Sequence, residues 1–154
     1  MDIIRVDNVK NKVAKKLYRI WQDSYVIEKR ILKAKKFPPL ERNVKNFMDS
    51  KNHFYALLTG NDFLGVIEID HNIISTHIQS LVVDPVHFRQ GIASQLLNKT
   101  FETYKSSQYT VETGLDNNPA KQLYIKMGFK KIQVWQTSYG IKKIRMQKTI
   151  KFNN

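Results

Sequence analysis

Apolar positions along this chain alternate between two spacings, one helical and one extended. "IIRVD" at 3–7 reads as a short strand. Val9, Val13, Leu17, Ile20 and Trp21 then recur at the period of one buried helix face, which predicts a helix over 9–24. A second helix is expected over 25–35, ending in the basic run Lys29 to Lys36 before Phe37. "PPLERNVKNFMDS" opens on prolines, which suit a first helical turn because their missing N–H would be unpaired there anyway. Leu40, Val44, Phe47 and Met48 give that third helix its apolar stripe.

From His53 the pattern becomes that of strands. Gly60-Asn61-Asp62 makes a hairpin turn between two apolar runs, and Asp70-His71-Asn72 is a second turn candidate before a strand at 73–83. Helical spacing returns over 91–105, and "QYTVETGL" at 108–115 is a strand. "NNPAKQLYIKMG" carries an Asn cap, a Pro in the first turn, apolar Ala120, Leu123, Tyr124 and Met127, and a closing Gly128. The remainder alternates as two strands around Tyr139-Gly140. The expected order is β-α-α-α-β-β-β-α-β-α-β-β. The unit at 73–115 should place two strands in parallel through a helical crossover. The fold class is therefore α/β (α+β), a mixed sheet with helices on both faces. A length of 154 residues fits one domain, 1–154.

Composition narrows the chemistry. There are no cysteines, so disulfides, thiolate metal sites and a cysteine nucleophile are excluded together. His53, His71, His77 and His87 show no metal-ligand spacing, and no metal is expected. The N-terminal stretch lacks the apolar core of a signal peptide, and no apolar run approaches the ~18 residues of a membrane span. A soluble cytoplasmic protein without a membrane partner is the expectation. The net charge of +13 comes from 26 Lys and Arg. These are mostly dispersed rather than interleaved with aromatics on one face, which favours solvated surface charge over a nucleic-acid-binding module.

The junction "DPVHFRQGIASQLLNKTF" at 84–101 hands a strand to a helix through Gly91. A helix N-terminus presents unpaired N–H groups and a partial positive charge. Gly91, Ala93 and Ser94 keep side chains out of the approach, and Arg89 adds a cation. A phosphate-bearing ligand fits there. The other reading is a glycine needed only for a tight turn, since neither the P-loop nor the GxGxxG pattern is present.

A second segment joins the first. "LVVDP" followed by "FRQGIA", and "NNPAKQLYIKMGF" further on, together resemble the GNAT superfamily of acetyl-coenzyme A-dependent N-acetyltransferases, over residues 52–150. The resemblance implies a mostly antiparallel twisted sheet with a splayed parallel pair, 73–83 and 108–115, and acetyl-coenzyme A between them. The pyrophosphate would meet the turn Phe88, Arg89, Gln90, Gly91, Ile92, Ala93 and Ser94, through backbone N–H groups from Arg89 onward. The pantetheine would pair with the backbone of Leu81, Val82 and Val83. Asn117, with Ala120 in the same motif, would hydrogen-bond the cofactor arm, and Tyr124 would point at the sulfur. Phe88 stands where the family usually has Gln or Arg, which removes one side-chain donor.

Acetyl transfer needs a neutral amine, and an alkyl amine with a pKa of ~10.4 is mostly protonated at pH 7. Glu112 is the candidate base: it sits mid-strand, twelve residues before Tyr124, and the resemblance implies this role because peptide-acetylating members of the superfamily carry a Glu at this offset; Glu68 and Asp70 are weaker candidates. Tyr124 is the candidate acid for the leaving thiolate. A backbone N–H near Val82 or Val83 would stabilise the developing oxyanion. Without cysteine, direct transfer in a ternary complex is favoured over an acyl-enzyme. The acceptor, a small-molecule amine or a peptide N-terminus, is not legible, and oligomeric state, including a homodimer, stays open. The alternatives are an acyl-coenzyme A-binding regulator without turnover and a basic nucleic-acid-binding module.

Overall fold

The computed structural model describes residues 2–151. Among them, β1 (Asp2–Val6), β2 (His53–Thr59), β3 (Asp62–His71), β4 (Ser75–Val83), β5 (Gln108–Gly114), β6 (Lys130–Gln136) and β7 (Lys142–Thr149) form one sheet in the order β1-β2-β3-β4-β5-β7-β6. The β4–β5 pair is parallel and the other neighbours are antiparallel. The helices are α1 (Asn11–Ile31), α2 (Val44–Asp49), α3 (Ile92–Thr103) and α4 (Asn118–Lys126). No helix among the described residues is long and apolar enough to cross a membrane.

The expected break near residue 25 is absent. Residues 11–31 form one continuous helix. Nothing at Ser24-Tyr25 interrupts it, because Gly and Pro are missing from the whole span and the buried face of Ala14, Leu17, Ile20 and Trp21 runs on into Tyr25. The helix ends when Lys33 adopts a left-handed backbone, φ 52°. Lys29 and Arg30 in its last turn oppose the negative end of the helix dipole.

The helix expected after the prolines is instead two pieces, a 3-10 turn at Pro38–Glu41 and then α2. Asn43 separates them. Its side chain accepts from the Asn46 N–H at 2.8 Å, while the Asn46 side chain accepts from the Asn43 N–H at 2.9 Å, a reciprocal cap that starts a new helix. Likewise β4 begins at Ser75 rather than 73, because the Asn72 side chain accepts from the N–H groups of Ile74 and Ser75.

Alternation along the strands sends side chains to two apolar layers. Phe54, Ala56, Val66 and Val82 pack under α1 and α2 with Leu17, Trp21 and Phe47. Ile67, Ile69, Ile78, Val111 and Ile144 pack with Leu96, Leu97, Tyr124 and Phe129 of the α3–α4 side. Val66 and Ile67, adjacent in β3, fall in different layers, as a two-residue period requires.

Two features open the sheet. The parallel ladder joins Ser75 to Gln108 and ends at Ile78 with Val111. Immediately beyond, Ile69 pairs with Ile78 but Glu68 pairs with Ser80, so Gln79 is an extra residue in β4. Such a bulge bends its strand and increases local twist. Past it, β4 stays on β3 up to Gly65↔Val83, and β5 stays on β7 up to Gly114↔Lys143. The two facing edges therefore separate.

Candidate active site

A cleft of about 570 Å³ occupies the separation. One wall is Ile78–Leu81 of β4 and the other is Val111–Gly114 of β5. Tyr25 and Glu28 of α1, Leu32 at its C-terminal cap, Asn117 at the cap of α4, Ala120 and Tyr124 within α4, the segment Pro38 to Arg42, and Tyr139, Ile141 and Lys143 also line it. Leu81, Glu112, Asn117, Ala120 and Tyr124, singled out in the sequence, thus share one cavity. Val82 and Val83 continue β4 beyond it, with Val82 buried against α1.

The turn at Phe88–Ser94 lies past the end of β4. Asp84 caps the 3-10 turn Pro85–His87 by accepting from the Val86 N–H at 3.0 Å. Arg89 and Gly91 both have left-handed backbones, φ 63° and 75°. Gly91 is the N-cap of α3 and has no side chain to cap it, and the first intrahelical bond runs from the Gln95 N–H to the Gly91 carbonyl. The N–H groups of Ile92, Ala93 and Ser94 precede any helical acceptor. A Cβ placed at Gly91 would meet nothing within 4 Å, so the space before these N–H groups is open. An anion fits this cradle. Phe88, Arg89 and Gln90 are exposed around it, while the Ile92 side chain is buried in the core.

Glu112 faces the cleft with 30% of its side chain exposed, and the Arg145 guanidinium stands 3.9 Å away on β7. Tyr124 is only 5% exposed, and its ring packs edge-on against Phe129. Burial, with the charge of Glu28 adding, pushes its phenol well above the usual range, so the hydroxyl keeps its proton. Asn117 caps α4 by accepting from the Ala120 N–H at 3.3 Å. Its amide nitrogen donates to Glu28 at 3.1 Å.

The two weaker sequence candidates separate here. Glu68 is completely buried, and its two oxygens accept from Arg42 at 2.7 and 2.9 Å, with Asn52 donating at 2.9 Å. Arg42 in turn stacks 4.2 Å from the centre of the Phe47 ring. Glu68 therefore holds the Pro38–Arg42 segment over the cleft, and with both oxygens engaged and no exposed surface it does not line the cleft itself. Asp70 is exposed at the end of β3, away from the cleft.

Sequence reading passed over Glu28, Tyr25 and Arg42. The signal for the first two was present. Trp21, Tyr25, Glu28 and Leu32 fall at helical spacing on one face, which becomes visible only when α1 is read as unbroken. Leu32 closes the end of the cleft against β5, where a Cβ on Gly114 would lie 2.5 Å from a Leu32 methyl group.

Residues 28–150 match the sequence profile of the acetyltransferase (GNAT) domain. The chain belongs to the GNAT acetyltransferase family. Among curated proteins, UPF0157 protein YqkA of Bacillus subtilis (strain 168) is 28% identical over 130 residues, which is 84% of this chain and 38% of that protein. The chain thus spans well under half of this relative. The fold matches the ribosomal-protein-S18-alanine N-acetyltransferase from Escherichia coli with a TM-score of 0.77 and 18% identity, over 99% of this chain and 96% of that one. It also matches an aminoglycoside 6'-N-acetyltransferase complexed with coenzyme A, with a TM-score of 0.71 and 16% identity over 100% of both chains. These structures share the architecture. The acceptors in their names, a protein alanine and an aminoglycoside, differ widely in size and shape.

Proposed function

We propose that this protein is an N-acetyltransferase that moves the acetyl group of acetyl-coenzyme A directly to a primary amine. The observation that carries the reading is one cleft between splayed parallel strands, with an open, uncapped helix N-terminus beyond one strand and Glu112 and Tyr124 facing its interior. The pyrophosphate is assigned to the N–H groups of Arg89 to Ser94. The pantetheine is assigned to the freed edge of Leu81, Val82 and Val83, with Asn117 and Ala120 beside it. Phe88 offers no donor, so binding rests on backbone groups and the Arg89 cation.

In this reading the amine arrives from the α1 side. Glu112 takes one proton from the ammonium, directly or through water. The nitrogen lone pair attacks the thioester carbonyl, whose oxygen is stabilised by a backbone N–H of β4 near Val82 or Val83. The carbon–sulfur bond then breaks, the amide nitrogen gives its extra proton to water, and the departing thiolate accepts a hydrogen bond from the Tyr124 hydroxyl until water protonates it. Tyr124 is suited to this because burial keeps its hydroxyl protonated, so it stays a donor to the sulfur. The acceptor is a small amine or a peptide N-terminus.

Two measurements test the proposal. Calorimetry should show coenzyme A binding. Thiol release from acetyl-coenzyme A should then accelerate with at least one amine of a panel containing polyamines, an aminoglycoside and short peptides. Failure to bind coenzyme A would refute the reading. Binding without turnover across the panel would instead indicate a regulator that senses acyl-coenzyme A.

A further inference from the structure

The roles above leave two cleft carboxylates unused, the exposed Glu41 and the half-buried Glu28. Glu28 is the one held among neutral donors. It projects from α1 into the space between β5 and α4. Its Oε1 accepts from Asn117 Nδ2 at 3.1 Å and from Thr113 Oγ1 at 3.4 Å, both neutral donors. Among the described residues the ion pairs are Arg42–Glu68 and Arg145–Glu112, and Glu28 has none. In a chain with 26 Lys and Arg this is unexpected for a half-buried carboxylate in a cleft.

The groups around it explain the deficit. Tyr25 of α1 and Tyr124 of α4 both feel its negative charge, and neither brings a cation. Lys143 of β7 lines the same cleft and attracts it only across a gap. Glu112 of β5 lines the cleft too and is already beside Arg145. Burial raises the Glu28 carboxyl above the usual range, and the Asn117 and Thr113 hydrogen bonds, the distant Lys143 charge and the nearby Gly114 backbone N–H offset only part of that. Glu68, by contrast, shows how this fold treats a buried carboxylate that is structural, with a bidentate Arg. Glu28 is left with the capacity for one more donor, a charged one, on the side where the acceptor enters.

We propose that Glu28 binds the ammonium group of the acceptor, so that the acceptor is an aliphatic amine charged at neutral pH and not an uncharged aromatic amine. This rests on the acetyltransferase reading and adds the residue that selects the amine. Glu28 then governs acceptor affinity, while Glu112 governs the proton transfer.

The test uses thiol release with saturating acetyl-coenzyme A and five probes: 1,4-diaminobutane, spermidine, an aminoglycoside, a short peptide with a free alanine N-terminus, and aniline. Glu28→Gln should raise KM for the charged amines that turn over by about tenfold or more, the weight of one charge-assisted hydrogen bond, and leave kcat within about threefold. The affinity for aniline, read as KM or, without turnover, as its inhibition constant against a charged amine, should stay within about twofold, and Glu28→Asp should restore part of the affinity for charged amines. Coenzyme A affinity, measured by calorimetry on the same variants, should hold. Equal KM changes for charged and uncharged amines would overturn the proposal. So would a coenzyme A affinity that falls by the same factor as amine affinity, which would reduce Glu28 to a support for Asn117. Wild-type protein that binds coenzyme A yet neither acetylates nor binds any charged probe overturns it as well. Loss of coenzyme A binding by the wild type would instead strike the acetyltransferase reading itself.

Discussion

Replacing Glu68 with Gln removes the negative charge that Arg42 is folded around. The geometry sets the size of the effect. Glu68 is 0% exposed and makes three short hydrogen bonds, two of them to the guanidinium. A Gln amide can offer one oxygen to these donors, and its NH2 must then face Arg42 or Asn52, both of which are donors themselves. Breaking a buried pair from one side costs about 3–5 kcal/mol. Arg42 keeps 21% of its side chain in water, which places the expected loss near the lower end, about 3 kcal/mol. For a chain of this size that lowers Tm by roughly 6–12 °C. Urea and thermal melts followed by circular dichroism at pH 7 measure it, with an unchanged urea slope confirming that stability alone has moved. The double variant Arg42→Met, Glu68→Leu removes both charges and keeps apolar volume against Phe47, and should recover to within about 1 kcal/mol of the parent. A single-variant loss under about 1 kcal/mol would mean that the pair does not anchor the Pro38–Arg42 segment.

Gly91→Val should weaken coenzyme A binding at least tenfold by calorimetry, and it also carries strain of about 1–2 kcal/mol because φ is 75°. Gly91→Asn, better tolerated at that backbone angle, should lose affinity with a smaller drop in Tm; unchanged affinity in both would remove the anion site from this turn. Tyr124→Phe should lower kcat and leave coenzyme A affinity within about twofold, since the ring packing against Phe129 is kept. Glu112→Gln should lower kcat/KM by about 10²–10⁴ near neutral pH, with the loss shrinking toward the amine's own pKa; wild-type rates across pH 6–9 would send the proton elsewhere. Burial holds the Glu28 carboxyl above its unfolded value, so the fold binds the extra proton between the two. Stability should therefore fall as pH rises from the ordinary glutamate range of about 4.3 through the raised value, and Glu28→Gln should flatten that part of the Tm profile.

Local pattern determined much of this protein. The turn at Gly60-Asn61, the cap and proline that start α4, and the glycine at the head of α3 are each written in a few adjacent residues, because turn and cap chemistry act over one or two peptide units. The family motifs lie in the same segments, so Glu112, Asn117, Ala120 and Tyr124 were legible as a group before the cleft that joins them was seen. Where local signals competed, sequence reading erred. The side chains of Asn43 and Asn46 cap each other and divide a predicted helix, and an uninterrupted α1 was cut at a point that carries no breaker. Only the tertiary structure decided what meets in the cleft. Glu28 reaches Thr113 and Asn117 across 85 and 89 residues of chain, and Arg42 reaches Glu68 across 26. No periodicity records such contacts, since they follow from how α1 lies on a sheet whose strands diverge. The strands diverge just past the unpaired residue Gln79, and such a bulge belongs to the register between two paired strands rather than to one segment.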